Sequence, residues 1–274
     1  MSDFLDIHEG DSPLVLSMPH AGRELSPGLE TRLTEAGRGL GDTDWWIERL
    51  YDFGPALGAS VVRTRISRTV IDVNRDPSGA SLYPGQATTG LCPTTTFDGN
   101  PLYLEGEEPD QAEIGQRRDS YFLPYHDALD RRLKEAAARH GYALLYDCHS
   151  IRSLVPRLFD GELPVFNVGT NGGGSCAAGL EQTVVATCAA AEGYSHVANG
   201  RFKGGWITRN YGRPAAGVHA VQMELGQRAY MEEAPPWTYD EDRAARLRPV
   251  LKEILSRMID WAQANLGRTS GATP

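Results

Sequence analysis

Short apolar runs of strand length alternate along this chain with amphipathic stretches of helix length. That alternation is the pattern of an α/β fold, in which helices cover a sheet that is largely buried. The strand-like runs fall at 13–18, 59–65, 69–74, 142–147, 164–169 and 218–225. Helical periodicity falls at 43–57, 112–140, 176–192 and 239–265. In the last stretch Leu247, Leu251, Leu255, Met258, Ile259 and Ala262 share one face, behind a capped start within Trp237-Thr-Tyr-Asp-Glu241. The expectation is one domain over 1–274, with 267–274 as a frayed tail.

Composition narrows the class. Hydrophobic residues make up 41% of the chain and charged residues 23%, ordinary for a globular protein. No run approaches the roughly 18 consecutive apolar residues that a membrane helix needs. Met1-Ser-Asp-Phe-Leu-Asp6 lacks the basic and apolar segments of a secretory signal, so the expected location is cytoplasmic. A net charge of −9 argues against nucleic acid or an anionic membrane as partner, but not against a small anionic substrate met by local arginines. The four cysteines form no CxxC pair and are expected to be free thiols. Cys148 adjoins His149, and adjacent strand residues point to opposite faces, so the two should not reach one metal.

Two segments break the pattern. Residues 76–110 are rich in Gly, Pro and Thr, with Tyr83, Leu91, Phe97, Leu102 and Tyr103 as apolar anchors for an ordered loop. Gly169-Thr-Asn-Gly-Gly-Gly174 matches neither phosphate-loop motif and reads as a strand-to-helix turn.

The chemistry gathers at strand ends. His20 follows the run 13–18 and His149 follows 142–147, and open α/β sheets place their ligands at the carboxyl ends of strands. Imidazole is the commonest metal ligand. A catalytic zinc site needs a third protein ligand and an open position. The best source is a carboxylate in Gly41-Asp-Thr-Asp-Trp-Trp46, with Asp42 as helix cap and Asp44 pointing into the cleft; a dipole-favoured first-turn acid is the alternative for Asp44. Glu224 lies in an apolar run, where a carboxylate is costly without a purpose or partner. It fits a general base, with a structural ion pair as the alternative. Asn74-Arg75 offers an amide and a planar guanidinium suited to a carboxylate. A second basic group occurs in Arg201-Phe-Lys-Gly-Gly-Trp-Ile-Thr-Arg-Asn-Tyr211.

Six runs together resemble the N-formylglutamate amidohydrolase (deformylase) family. They are Pro19-His-Ala-Gly22, Asp42-Thr-Asp-Trp45, Arg68-Thr-Val-Ile-Asp-Val-Asn-Arg75, Asp147-Cys-His-Ser150, Phe202-Lys-Gly-Gly-Trp-Ile-Thr-Arg209 and Gln222-Met-Glu-Leu-Gly226. They span about residues 13 to 230, in order. The family is more distantly similar to zinc carboxypeptidases and aspartoacylases, which implies a mixed, mostly parallel sheet flanked by helices. The resemblance also implies zinc at His20, Asp44 and His149, with Glu224 as general base. It implies that Asn74 and Arg75 hold a carboxylate and that Arg68 polarises the scissile carbonyl, with Arg209 as second carboxylate-binding cation. The distant relatives carry their ligand carboxylate in HxxE. Here Ala21-Gly22-Arg23 follows His20 and Glu24 is one step too far, so the ligand moves to Asp44 or Asp42. The implied activity is zinc-dependent hydrolysis of N-formyl-L-glutamate to formate and L-glutamate, the last step of a histidine degradation route. Two rivals remain: a related amidase such as an aspartoacylase-like deacylase or γ-glutamyl hydrolase, and a non-catalytic binder of acidic metabolites.

Overall fold

The computed structural model describes residues 3–80, 85 and 88–267. Seven strands form one sheet: β1 (Leu5–His8), β2 (Leu14–Met18), β3 (Ser60–Thr64), β4 (Ala143–Ile151), β5 (Phe166–Gly169), β6 (His196–Ala198) and β7 (Val218–Gly226). Their order is β1-β3-β2-β4-β7-β5-β6. β3, β2, β4 and β7 are mutually parallel, β1 is antiparallel to β3, and β5 with β6 runs antiparallel to β7. The sheet is therefore mixed and mostly parallel, as expected. β4 and β7 pair over nine positions, from Ala143↔Val218 to Ile151↔Gly226.

Both faces of the central strands are buried, which is why β2 and β4 read as continuous apolar runs. Leu144, Tyr146 and Cys148 of β4 and Val221 and Met223 of β7 face one core, packed with Leu180, Val184, Leu247, Leu251 and Leu255. These come from two helices, α5 (Ala178–Ala190) and α7 (Glu241–Leu266), the latter capped by the Asp240 side chain. Ala143, Leu145 and Ala220 face the other core, with Tyr125, Leu129 and Leu133 of α4 (Leu123–His140). Cys148 thus lies opposite the face of His149, as strand alternation requires.

The expected helix over 112–140 is present as α3 (Gln111–Arg117), a π-type turn over Arg118–Phe122, and α4. Pro124 sits in the first turn of α4, where its missing N–H removes one ladder bond and favours the widened turn before it. Gly141, at φ +86°, closes α4.

Two expected elements are absent. Residues 69–74 form no strand. Val70 and Ile71 N–H groups turn back to the Ser67 carbonyl, and Val70, Ile71 and Val73 bury in the α4-side core as an irregular segment. An apolar run reports burial, not the backbone that delivers it. The helix over 43–57 shrinks to α2 (Ile47–Leu50) and a 3₁₀ turn at Gly54–Leu57, because Trp46 is left-handed (φ +63°). Three short elements went unread in the sequence: β1, β6 and α6 (Trp206–Tyr211). A further short helix, α1 (Glu35–Arg38), follows a Thr34 cap.

In the long loop Leu91, Phe97, Leu102 and Tyr103 are buried anchors, while Tyr83 and the tail 268–274 lie outside the described residues. The glycine stretch is a strand-to-helix turn whose Thr170 and Gly172 N–H groups bond the Asn199 side chain. No described helix is long and apolar enough to cross a membrane.

Candidate active site and metal centre

On the α4 side of the sheet the apolar alternation stops halfway along the strands. Beyond Val15 comes Ser17, beyond Leu145 come Asp147 and His149, and beyond Ala220 come Gln222 and Glu224, all buried. His149 and Glu224 are registered neighbours on β4 and β7, and so are Asp147 and Gln222. His20 follows the end of β2. The carboxyl ends of three parallel strands thus converge on one polar patch.

Asp44 reaches the same patch from the loop before α2. Its N–H donates to the His20 carbonyl (3.1 Å), which ties the loop to the strand end. Its Oδ2 lies 3.0 Å from His149 Nδ1 and 3.7 Å from His20 Nδ1. One ligand atom from each of His20, Asp44 and His149 falls within 4.8 Å of the other two. Asp42 is not the helix cap expected of it. Its Oδ2 accepts the Phe97 N–H (2.8 Å), away from the trio, and helix α2 begins only at Ile47.

Each histidine is gripped from behind. His20 Nε2 is 2.7 Å from Asp72 Oδ1, and His149 Nε2 is 3.0 Å from Asp147 Oδ2. A carboxylate on the far nitrogen fixes ring orientation and leaves Nδ1 as the electron-pair donor, the usual support for a metal-ligating histidine. The carboxylates are fixed in turn. Asp72 pairs with Arg68 (2.6 Å), and Asp147 accepts the Ser17 hydroxyl (2.7 Å). Neither Asp72 nor Asp147 was singled out from the sequence. A buried acid two residues before a strand-end histidine is the signal that would have found Asp147. Asp72 carries the same mark as Glu224, a carboxylate inside an apolar run, Val70-Ile-Asp-Val73.

The trio fits a metal ion. His20 Nδ1 and Asp44 Oδ1 are buried without a hydrogen-bond partner, and a buried polar atom left bare is costly unless something else meets it. The electrostatics agree. Burial alone would raise the Asp44 carboxyl, but the hydrogen bond with His149 and the nearby His20 ring hold it below the usual carboxylate range. Burial likewise opposes charge on Asp72, yet Arg75, His20 and Arg68 keep its carboxyl well below that range. Burial pushes Glu224 up to about 8, against the pull of His149.

A cleft opens over this patch. His20, Arg68, Asn74, Arg75, His149 and Glu224 all line it, so six residues expected at the site meet in one cavity. Arg68 lies over the Phe97 ring (4.7 Å). Arg75 donates to the Thr89 carbonyl and hydroxyl and is 3.5 Å from Asp72. Arg209 is not among the lining residues; its Nε donates to the Gly204 carbonyl (2.9 Å). The cation that does line the wall from that segment is Arg201, beside Phe202. It stands in the same basic run, and only the turn of the chain selects between the two.

Fold and site together define an α/β protein with a supported His/Asp/His trio and a buried glutamate at the sheet's carboxyl edge, under an arginine-walled cleft. Among known proteins, residues 12–231 match the model of the N-formylglutamate amidohydrolase family. The chain is 50% identical over 263 residues to an N-formylglutamate deformylase of Pseudomonas aeruginosa, covering 96% of this chain and 98% of that one. A second N-formylglutamate deformylase, from Pseudomonas putida, is 51% identical over 261 residues, covering 95% and 97%. The crystal structure of an N-formylglutamate amidohydrolase from Ralstonia eutropha superposes with a TM-score of 0.79 at 26% identity, covering 95% of this chain and 98% of that one. This chain belongs to the N-formylglutamate amidohydrolase family.

Proposed function

We propose that this protein hydrolyses the formyl amide of N-formyl-L-glutamate, giving formate and L-glutamate, with one divalent metal, zinc in the first instance, held by His20, Asp44 and His149. The carrying observation is the placing of Glu224 beside His149 in the β4–β7 register, buried, next to three converging ligand atoms and open to an arginine-walled cleft. The names of the two Pseudomonas relatives support the same substrate.

When bound, the metal supplies Lewis acidity, which acidifies a water and draws electron density from the amide carbonyl. Glu224 accepts the proton of the attacking water and returns it to the departing nitrogen as the C–N bond breaks. A buried carboxyl beside the trio suits both directions of transfer, since burial disfavours its charged form and a nearby cation favours it. Arg68, fixed by Asp72, faces the charge that develops on the carbonyl oxygen. Arg75 and Arg201 hold the two carboxylates of the glutamyl moiety. Asn74 shapes the wall between them and the trio. Asp72 and Asp147 keep the histidine rings aimed.

Purified protein assayed against formyl-, acetyl- and γ-glutamyl-glutamate tests this reading. Release of formate at a kcat/KM about a hundredfold above the other two is expected, the scale on which a shaped pocket rejects one extra carbon. Preference for the acetyl or γ-glutamyl compound would transfer the activity to the related amidases. Binding without turnover by metal-replete protein would leave a binder. Its place in histidine degradation predicts that deleting the gene makes cells grown on histidine accumulate formylglutamate.

A further inference from the structure

The turn that enters α6 ties together two amides on either side of the site. Gly204 has φ +110°, and Gly205 follows in extended backbone. The Gly205 N–H donates to Gln222 Oε1 (2.7 Å), and two residues on the Ile207 N–H donates to Asn74 Oδ1 (2.8 Å). An amide whose oxygen is committed to a backbone N–H must turn its NH₂ group the other way. For Gln222 that way is toward Glu224, whose Oε2 accepts at 3.1 Å. For Asn74 it is toward His149 and Asp147, with its nitrogen 2.9 Å from His149 Nε2 and 3.3 Å from Asp147 Oδ2, which accepts. Flipping either amide would set NH₂ against N–H, so the backbone of one turn fixes both orientations.

Space enforces the arrangement. A β-carbon on Gly205 would fall 2.4 Å from the Asn74 amide nitrogen and 2.5 Å from its oxygen. Gln222, Asn74 and Glu224 are all buried, so no water competes freely for these bonds. The Gln222 amide donates to Glu224 with its own oxygen anchored behind it.

We propose that Gln222 is a positioning residue for Glu224, set by the Gly205 backbone. This rests on the reading of Glu224 as the proton-transferring group. An anchored N–H holds the Glu224 carboxylate in one rotamer, with its other oxygen presented to the cleft. Without it the carboxylate samples other rotamers and proton transfer slows, while substrate recognition by the arginines persists.

Gln222→Met keeps volume and removes both hydrogen bonds. In the metal-replete enzyme it should lower kcat by about tenfold or more, the scale for losing an outer support of a catalytic group. KM and metal content should change little, while the melting temperature falls because the buried Gly205 N–H loses its acceptor. In a Glu224→Gln background, assayed at high enzyme concentration, the same substitution should remove less than about twofold of the residual rate, because groups acting through one another are not additive. An equal loss in both backgrounds would mean that Gln222 does not act through Glu224, and an unchanged kcat in Gln222→Met alone would end the proposal outright. Should Gln222→Met fail to fold, Gln222→Asn retracts the amide by one methylene and carries the same expectations. Normal turnover in Glu224→Gln itself would instead overturn the reading of Glu224, a separate and distinguishable failure.

Discussion

The two faces of β4 solve opposite problems with adjacent residues. On one face Leu144, Tyr146 and Cys148 pack against aliphatic side chains of α5 and α7, and the contact is volume against volume. On the other, Asp147 and His149 carry buried charge that must be met atom by atom, by Ser17, Asn74 and Asp44. An apolar core absorbs substitutions of similar size with modest loss, whereas a buried polar network stakes several kcal/mol on each partner. The first face should therefore govern stability alone, and the second should govern chemistry as well as stability.

The hardest test removes a ligand. His20→Ala or His149→Ala should abolish both metal binding and turnover, read by metal analysis after dialysis and by the formate assay. Retention of near-stoichiometric zinc by both variants would dissolve the proposed centre. Next comes Glu224→Gln, nearly isosteric. It should keep metal and fold and lower kcat by about 10²–10⁴-fold, the usual contribution of a positioned general base. Loss of metal in this variant would make Glu224 a ligand instead.

The apolar face is probed by Leu255→Ala in α7, fully buried among its neighbours. It should lose about 2–5 kcal/mol of stability by denaturant titration, with kcat/KM unchanged below the transition. A matching fall in kcat/KM would show that the two faces are coupled and that the contrast drawn between them is wrong.

The smallest effect lies behind the polar face, at His126 of α4. Its Nε2 bonds the Val73 carbonyl (2.8 Å), holding the segment that carries Asp72 and Asn74. Burial lowers its pKa from 6.5 to about 4. A histidine depressed in the folded state is protonated first in the unfolded chain, so its contribution is complete above pH 6.5 and fades as pH falls toward 4. Between pH 7 and pH 5 this amounts to about 2 kcal/mol. His126→Gln should remove that component and flatten the acid side of the stability curve. An unaltered acid profile would place the titration elsewhere.

Much of this was legible in the chain itself. Alternation of apolar runs with helical periodicity specified an α/β sheet, because burial on both faces of a parallel strand demands an unbroken apolar run. His20, His149 and Glu224 stood out as polar residues within or at the ends of such runs, and the structure brings them together. The run 69–74 misled for the same reason, since burial without regular backbone leaves the same trace. The choice of Asp44 over Asp42 beside the histidines depended on a left-handed Trp46 and a loop bonded to His20, and neither leaves a periodic mark.

What the sequence by itself determined is the set of side chains whose burial must be justified, since hydrophobic periodicity and misplaced charge are local properties. What only the tertiary structure decided is which of those side chains meet. Asp72 behind His20, Asp44 beside His149 and the Gly205 N–H on Gln222 are pairings between residues on different segments. Hydrogen bonds and ion pairs act over about 3 Å, and chain distance says nothing about separation at that scale until the sheet has been assembled.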